Sequence, residues 1–559
     1  MRPSYELDPI TLEIIFNGLR SITDETFIAL TKSSYSTNIK ERRDHSTAIC
    51  DPKGRLIVQA ENSLPIHLAS MCGLMENLLK KYKLEEIEDG DLFVANDPHV
   101  AGGTHLPDIN LAMPVFTEGK LTAFVCNIAH HADVGGMAPG SMAGGMSEIY
   151  QEGLRIPVIK LFRRGELQED LFELLLLNVR IPEERRGDYY AQIASCRLGR
   201  RRLLEAYETY SVETINTAFQ DIVTRTEQRM REAVSSIPNG TYIFEDVMDD
   251  DGLGTTDIPI KVKIGVADDH IQFDFTGTSA QVAGNINVTL NATQAAVAYC
   301  LKALLDPEIP NNQGVLEVCE IKCPSGTLLN CAPPAPVAAR ANTSQRIIDV
   351  VIGALTNALP DAVVGAANGA NTTAVFSGTD PATGKDYLYL ETLGGGFGGR
   401  NDRDGKDGVQ VHITNTSNLP VEVIEMEYPL RVLSYGLVED SGGAGMYRGG
   451  MGLCREITPV GHDCVFNGAG ERFRHAPWGV FGGEVGGRGC FIHTHADTSE
   501  EQLDIKPSGI VLKDGAKILV QTPGSGGYGQ PGQRSEENIE KDRVSGKFTN
   551  AYIKRYYRR

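Results

Sequence analysis

The spacing of apolar residues along the first part of the chain predicts a helix, a hairpin and a second helix. Between residues 8 and 33, apolar residues recur every three or four positions, which is typical of a helix with one buried face. Asp8 suits the N-cap of this helix, and Pro9 suits its first position. Two apolar runs, STAICD and RLIVQA, are joined by DPKG and indicate a β-hairpin. The stretch HLASMCGLMENLLKKY then returns to the helical period.

A helical segment separates this part from a strand-rich second half. Residues 169–236 are almost free of glycine and have helical periodicity throughout. Beyond residue 237, TYIFEDV, IPIKVKIGV and IQFDFTG alternate like strands, and NATQAAVAYCLKALLD and TSQRIIDVVIGALTNAL have the helical pattern. From about residue 385, short strand patterns alternate with glycine-rich runs, which indicate tight turns or backbone packed close to a ligand.

These patterns predict an α+β fold with a helical N-terminal part, a glycine-rich region that bears histidines, and a strand-rich mixed C-terminal part. We expect four regions. They are an N-terminal mixed region with the candidate site (1–168), a helical segment (169–236), a strand-rich mixed α/β region (237–533) and a charged C-terminal tail (534–559). The tail is interpreted either as solvated or as a helix that docks on a partner.

Composition narrows the class of protein. The chain has 53 basic and 73 acidic residues and a formal net charge of −20, which argues against binding to a nucleic-acid backbone. No signal-peptide pattern and no run of about 18 apolar residues is present, so we expect a cytoplasmic protein without a membrane span. The eleven cysteines have no regular spacing, which argues against a disulfide framework. Cys319 and Cys323 form one close pair, but no second pair follows to make a zinc ribbon.

The candidate chemistry is concentrated in one glycine-rich region. His99, His105, His130 and His131 all lie there, although the whole chain has only twelve histidines. In THLPD a proline stiffens the loop between His105 and Asp108, so an imidazole and a carboxylate can point at one place. Imidazole and carboxylate groups are ligands of Zn²⁺, Mn²⁺ or Fe²⁺. The region therefore predicts a metal site.

Other interpretations of these residues stay open at this point. Asp44, a loop carboxylate ahead of a predicted strand, could complete the ligand set. Adjacent histidines on a strand point to opposite faces, so His130 and His131 cannot both bind one ion without distortion. The spacing alone is equally consistent with side chains that cap turns and bind backbone. No GxxxxGK[ST] sequence is present, so any ATP chemistry belongs to another chain.

An ordered set of motifs runs from the first helix to about residue 532. It consists of DPITLEII, RRDHSTAICDPKGRL, NDPHVAGGTHLPDINLAMPVF, AHHADVGG, FTGTSAQVAGNINV, IPNNQGVLE, GGGFGGR, EYPLRVLSYGLVEDSGGAGMYRGGMG and TPGSGGYGQP. Together these motifs resemble the hydantoinase B/oxoprolinase family, which includes N-methylhydantoinase, 5-oxoprolinase, caprolactamase and acetone or acetophenone carboxylase subunits. Ser525 and Gln530 stand where the family's TPGGGGYGDP type of ending has Gly and Asp.

The resemblance implies one subunit of an ATP-dependent enzyme. The partner would be a hydantoinase A-type subunit that binds ATP and Mg²⁺, and the pair would form a hetero-oligomer such as (αβ)2. The family's metal ligands map onto His105, Asp108 and His130, with Asp44 as the fourth. Zn²⁺ is the expected ion, with Mn²⁺ or Fe²⁺ as alternatives. The implied catalytic residues are His105, Asp108, His130 and His131.

Three functional hypotheses follow from the residues and the resemblance. The leading one is a metal-binding subunit of an ATP-dependent cyclic amide hydrolase that opens a hydantoin, oxoproline or lactam ring. The second is a subunit of an ATP-dependent ketone carboxylase. The third is a non-catalytic scaffold for the kinase-like partner. None of the three involves nucleic acid or a membrane as a partner.

Overall fold

Residues 6–557 of the chain are described by a computed structural model, and they form a mixed α+β architecture. The α-helices are α1 (Pro9–Ser33), α2 (Thr37–Lys40), α3 (Pro65–Lys81), α4 (Glu169–Leu177), α5 (Pro182–Tyr210), α6 (Val212–Val234), α7 (Leu290–Leu305), α8 (Arg340–Leu355), α9 (Val421–Glu427), α10 (Glu536–Val544) and α11 (Asn550–Tyr556). Single 3-10 turns span Leu84–Glu86, Ile149–Gln151, Gln313–Val315 and Pro531–Gln533. The predicted fold class is confirmed.

The strands form four sheets within the described residues. In the first half the strands are β1 (His45–Cys50), β2 (Leu56–Gln59), β3 (Leu92–Ala95), β4 (Asp108–Thr117), β5 (Lys120–His130), β6 (Ile159–Arg163), β7 (Glu166–Leu167), β8 (Gly240–Asp250), β9 (Thr256–Ala267) and β10 (His270–Asp274). In the second half they are β11 (Cys319–Lys322), β12 (Thr372–Thr379), β13 (Asp386–Leu393), β14 (Leu430–Leu437), β15 (Leu453–Pro459), β16 (Cys464–Ala469), β17 (Cys490–Thr494), β18 (Glu500–Gln502), β19 (Ile510–Leu512) and β20 (Lys517–Gln521). The sheet orders are β2-β1-β5-β4-β3-β6-β7, β11-β10-β9-β8, β13-β12-β16-β19 and β14-β15-β20-β17-β18.

The seven-stranded sheet is covered on both faces. One face of β4 packs Ile109 and Leu111 against Tyr189 and Ile193 of α5. The other face presents residues such as Ala112 to the apolar side of α3. Because helices cover both faces, β4 and β5 are buried along most of their length, which explains their nearly continuous apolar sequences.

Helix α8 connects this sheet to the second half of the chain. It packs against α7 and against β8 and β9 of the sheet with the order β11-β10-β9-β8. Nearly all of its residues are buried. The side chain of its first residue, Arg340, contacts Asp108 of the N-terminal region. The first helical turn of α8 is therefore positioned to take part in a site built on the seven-stranded sheet.

The glycine-rich runs pack backbone against backbone. A Cβ atom added to Gly396 would lie 2.2 Å from the carbonyl oxygen of Gly450, and one added to Gly449 would lie 2.0 Å from that of Ser525. Such distances leave no room for a side chain. Ser525 itself is buried, and its hydroxyl donates to the carbonyl of Phe397 at 2.7 Å. At these positions the glycines allow protein backbone to pack on protein backbone, which differs from both the tight turns and the ligand contact that were expected.

The charged C-terminal segment folds back onto the chain. Ile553 and Tyr557 are buried in a cluster with Ala444, Met451 and Phe548. The buried Arg534 and Arg448 side chains bind the Asp542 carboxylate of α10 at 2.6 and 3.0 Å. Residues 536–557 are therefore not a solvated tail, in contrast to one of the two expectations, and they are anchored by this chain itself.

Two expectations from composition can be compared with the structure. All eleven cysteines are free, and Cys319 and Cys323 make separate contacts, to Leu316 and to Thr327. Among the described helices, none combines the length and the apolar character that a membrane crossing requires.

Candidate metal centre

Three strand ends meet at one edge of the seven-stranded sheet. Asp108 begins β4, His130 ends β5, and the two are directly paired across the antiparallel ladder. Asp44 immediately precedes β1, and its carbonyl accepts a hydrogen bond from the backbone N–H of His130 at 2.9 Å. His105 lies in the loop before β4, where its carbonyl accepts from the Asp108 N–H at 3.3 Å. The predicted residues are thus gathered by strand register, although they are far apart in sequence.

His105, Asp108 and His130 form a buried group of metal donors. One ligand atom of each lies within 4.8 Å of the other two. His105 Nε2 is 3.1 Å from Asp108 Oδ1, yet within the described part of the chain neither atom has a hydrogen-bond partner. A buried polar atom without a partner is costly and calls for an explanation. Imidazole nitrogen and carboxylate oxygen are both donors for divalent transition metals, so these residues fit such an ion.

Backbone and amide contacts hold both histidine rings. Nδ1 of His105 donates to the carbonyl of Ala338 at 3.0 Å, which leaves Nε2 as the free ring nitrogen. The Asn38 amide donates to the carbonyl of His130 at 2.7 Å and lies 2.8 Å from its Nδ1. Contacts of this kind fix the orientation of metal-binding rings.

The second oxygen of Asp108 is held by cationic and hydroxyl groups. Oδ2 accepts from Arg340 at 2.8 Å and from the Thr104 hydroxyl at 3.1 Å. On the other side, Nε2 of His67 lies 3.8 Å from Oδ1, and its Nδ1 is 2.8 Å from the Ser46 hydroxyl. Asp108 therefore has one fully engaged oxygen and one that faces the candidate ligands.

The electrostatics favour the protonation states that bind metal. Burial would raise the pKa of Asp108, but the contacts that favour the ionised carboxylate, above all the neighbouring His105 and the Arg340 cation, outweigh this and hold its pKa well below the usual range. Burial lowers the pKa of His105 and His130, which keeps both imidazoles neutral. An ionised carboxylate and neutral imidazoles are the forms that coordinate a metal.

Asp44 is adjacent to the group of three but is not one of its members. It is 8% exposed, and Arg42 lies 4.0 Å from its carboxylate. Burial raises the pKa of Asp44, an effect that Arg42 opposes. His105 and Asp108 are fully buried, whereas His130 is 5% exposed. The small exposed area around the site therefore belongs to Asp44 and His130.

The other two predicted histidines are directed elsewhere. His131 points to the opposite face of the sheet, as strand alternation requires, where its Nε2 lies 2.9 Å from the Gln192 side chain and its ring packs on Tyr189. Nε2 of His99 lies 2.9 Å from the carbonyl of Ala335. Both histidines connect elements around the site without pointing into it.

Several neighbours of the site are missing from the sequence-based prediction. They are Asn38, His67, Thr104, Ala338 and Arg340. His67 lies in the otherwise apolar first turn of α3, and the charged Arg340 is the first residue of α8. Histidine and arginine are both unusual at buried positions. However, only tertiary structure shows that they meet at Asp108.

Comparison with known proteins identifies a family that matches nearly the whole chain. The family model for hydantoinase B/oxoprolinase matches residues 8–531. This chain belongs to the hydantoinase B/oxoprolinase family. The B-type subunit of a putative D-/L-hydantoinase from Pseudomonas sp. (strain NS671) is 32% identical to it, over 97% of this chain and 94% of that protein.

Solved structures confirm the fold. The crystal structure of the ATP-dependent caprolactamase from Pseudomonas jessenii is similar with a TM-score of 0.93 and 28% identity, covering 99% of this chain and 96% of that one. A nucleotide-free acetone carboxylase structure has a TM-score of 0.90 and 19% identity, covering 99% and 80%. The second likeness shows that the two chains share a fold. The family thus includes subunits named as hydrolases of cyclic amides, on the same fold as a carboxylase chain.

Proposed function

We propose that this chain is the metal-binding subunit of an ATP-dependent cyclic amide hydrolase. The observation that carries the proposal is the pair of buried atoms without hydrogen-bond partners, His105 Nε2 and Asp108 Oδ1, 3.1 Å apart. The names of the relatives support the substrate class, since hydantoin and caprolactam are both cyclic amides. A scaffold without catalytic chemistry would have no need to keep such donors buried and unsatisfied.

The proposed ligands are His105, Asp108 and His130, with Asp44 as the fourth. Two imidazoles and two carboxylates suit Zn²⁺, which is our first choice, and also Mn²⁺ or Fe²⁺. A divalent ion held there polarises a carbonyl group or lowers the pKa of a bound water. Asp44 is proposed as the fourth ligand because its backbone is hydrogen-bonded to that of His130, which places it next to the other three.

The residues of the chain itself orient and protect the reacting groups. The Ala338 carbonyl and the Asn38 amide fix the two rings, and Arg340 holds Asp108 in its ionised form. The buried surroundings exclude bulk water, which strengthens electrostatic interactions within the site. His131 stays a predicted catalytic residue, and its contact with Gln192 supports a role in holding β5 against α5.

We propose further that activation by ATP takes place on a separate hydantoinase A-type subunit, which carries ATP and Mg²⁺. The chain has no phosphate-binding loop of the GxxxxGK[ST] type, and its relatives include one named as the B-type component of a hydantoinase. An amide is a poor electrophile, so an activated intermediate that forms on one subunit and reacts on the other needs a protected path between them. A stable hetero-oligomer such as (αβ)2 provides that path.

The test uses the complex of this chain with the ATP-binding subunit, and a His130→Ala variant of it. Metal content, ATP use and ring opening are measured together on hydantoin, 5-oxoproline and caprolactam. We expect near-stoichiometric metal in the wild type, and loss of metal with at least about a 10²-fold fall in product in the variant. His475→Ala, a partly exposed histidine paired with Asp257, is the control and should change neither. Unchanged product formation in a complex without metal would favour the scaffold hypothesis.

Labelled bicarbonate separates the hydrolase from the ketone carboxylase. A carboxylase retains the label in its product, whereas a cyclic amide hydrolase does not. The shared fold with acetone carboxylase makes this control necessary, because fold alone does not decide the reaction. Label in the product with acetone or acetophenone as the substrate would replace our assignment.

A further inference from the structure

A second group of metal donors lies in the C-terminal half, on the five-stranded sheet. His493, His495 and Glu501 each offer one ligand atom within 4.8 Å of the other two. The rings of His493 and His495 have their centroids 4.0 Å apart, and Nε2 of His495 is 3.6 Å from a Glu501 carboxylate oxygen. Neither the comparisons nor the proposed reaction gives these residues a role.

Strand geometry brings the three side chains to one face. His493 and His495 are two positions apart along an extended segment, so they point the same way. Glu501 on β18 is the direct antiparallel partner of His493 on β17. Directly opposed residues on paired strands share a face, with Cβ atoms about 4.5–5.5 Å apart. The donors therefore converge through regular secondary structure.

The turn between the strands fixes this register. The backbone N–H of His495 donates to the carbonyl of Ser499 at 2.8 Å, and that of Thr498 donates back to the His495 carbonyl at 2.9 Å. The Asp497 carboxylate accepts from the Ser499 N–H at 3.0 Å. His495 is thus held in the hairpin, which leaves only side-chain rotation for adjustment.

His493 supplies an independent indication of a ligand. It is 4% exposed, and its buried Nε2 atom has no hydrogen-bond partner among residues 6–557. Such an atom is destabilising unless something binds it. The side chains of His495 and Glu501 are 43% and 61% exposed, so they can rotate toward an ion at low cost and leave room for water. The arrangement is a buried donor at the base of a site that opens to solvent.

We propose that His493, His495 and Glu501 form a second divalent metal site, with water in the remaining position. Two imidazoles and one carboxylate suit Zn²⁺ or a neighbouring transition metal, whereas Ca²⁺ and Mg²⁺ prefer oxygen ligands alone. In a tetrahedral zinc site, ligand atoms are about 3.4 Å apart, given metal–ligand bonds of about 2.0–2.1 Å. The observed 3.6 Å between His495 and Glu501 is already close to this value.

The site would stabilise an open edge of the sheet. β18 is a three-residue strand at the end of the strand order, and all of its residues are exposed. An ion bound to Glu501 and to both histidines would tie β18 to β17. Edge strands offer unpaired backbone groups that can pair with strands of other chains. A metal ion that links β18 to β17 would therefore limit edge-to-edge aggregation. This role is independent of the reaction proposed above.

The test counts zinc bound per chain in the assembled complex, after removal of metal by a chelator and titration with Zn²⁺. The wild type should bind one equivalent more than His495→Gln. His493→Gln and Glu501→Gln should weaken this equivalent by at least the roughly 10–100-fold typical of losing a supporting partner. Because Glu501 is exposed, Glu501→Gln tests the proposal even if His493→Gln folds poorly.

Two controls separate this site from the first one. His270→Gln removes an exposed histidine that lies 2.9 Å from the Asp269 carboxylate. No described residue supplies a third donor there, so this variant should bind as much zinc as the wild type. His130→Ala should retain the equivalent that His495→Gln loses. Equal zinc binding by the wild type, His495→Gln and Glu501→Gln would overturn the proposal, whatever happens at the first site.

Discussion

Replacing Glu152 by glutamine should change the pH dependence of stability in a defined direction. Glu152 is fully buried, and one carboxyl oxygen accepts from the backbone N–H groups of Val337 and Ala338, both at 2.7 Å. The carbonyl of Ala338 in turn accepts from the His105 ring. Glu152 therefore holds the backbone segment that orients a proposed metal ligand, and its other carboxyl oxygen has no hydrogen-bond partner in the described structure.

Burial raises the pKa of Glu152 from 4.5 to about 8, and the two backbone hydrogen bonds only partly oppose this effect. Below pH 4.5 the carboxyl group is protonated in both the folded and the unfolded chain. Between pH 4.5 and about 8 the unfolded chain ionises while the folded chain keeps its proton, so rising pH favours unfolding. Above about pH 8 the carboxyl group is ionised in both states, so the loss of folding free energy no longer grows. Glu152 therefore destabilises the fold as pH rises through this interval.

The size of the stability loss follows from the difference between the pKa of Glu152 in the unfolded and in the folded chain. About 3.5 pH units at 1.36 kcal/mol each give roughly 5 kcal/mol at most, of which about 4 kcal/mol is lost between pH 5 and 8.5. A chain of 559 residues unfolds with an entropy of about 1.2 kcal/mol/K, at roughly 2.1 cal/mol/K per residue. The wild-type melting temperature should therefore fall about 3–4 °C more than that of Glu152→Gln over this range.

The assay is thermal unfolding of the wild type, Glu152→Gln and Glu173→Gln at pH 5, 7 and 8.5. Glutamine keeps an oxygen that accepts both backbone N–H groups but cannot ionise. Glu173 is an exposed residue of α4, so Glu173→Gln should follow the wild type. Titration of the histidines is common to all three proteins and cancels in the difference. Parallel pH profiles for the wild type and Glu152→Gln would refute the reasoning.

Three further predictions test the proposed metal site and the assignment of ATP hydrolysis to the partner subunit. Arg340→Met should destabilise the metal-free chain by about 3–5 kcal/mol, because it leaves the buried Asp108 without its cation; denaturant unfolding of the apo protein measures this. Asp44→Asn should weaken metal binding more than His67→Gln does, as measured by competition with a chelator; the reverse order would make His67 the fourth ligand. The isolated chain should not hydrolyse ATP, and substrate-dependent phosphate release should appear only with the partner subunit; ATP hydrolysis by this chain alone would contradict the proposal.

Local sequence patterns were sufficient for most elements of the fold. The predicted helix at 8–33 is α1, which Asp8 caps through bonds to the N–H groups of Ile10 and Thr11, and the predicted hairpin is β1–β2. Both depend on residues close in sequence, where periodicity and turn chemistry act. The position of the C-terminal helices was not predictable in the same way. Their anchor is the burial of Ile553 and Tyr557 against residues about 100 positions earlier, which no local pattern encodes.

The same difference between local patterns and long-range contacts applies to the candidate metal site. His105 and Asp108 could be selected because a short, stiff loop joins them, and His130 because it ends an apolar strand. Arg340 could not be selected in this way. It is 232 positions from Asp108 in the sequence, and only the packing of α8 brings the two side chains together. The role of Glu152 was equally hidden, because it acts through the backbone of Ala338 and not through any side chain.

The contacts around His105 and Asp108 make the site a property of both halves of the chain. The N-terminal sheet supplies the donor atoms, while Ala338 orients His105 and Arg340 neutralises Asp108 from the start of α8. α8 is itself held by β8, β9 and α7, so displacement of the second half would release both contacts at once. The N-terminal sheet alone would then carry a buried, ionised Asp108 without its cation, which is strongly unfavourable. The proposed metal site therefore requires the complete fold, which accords with a family match that extends over residues 8–531 instead of over the ligand region alone.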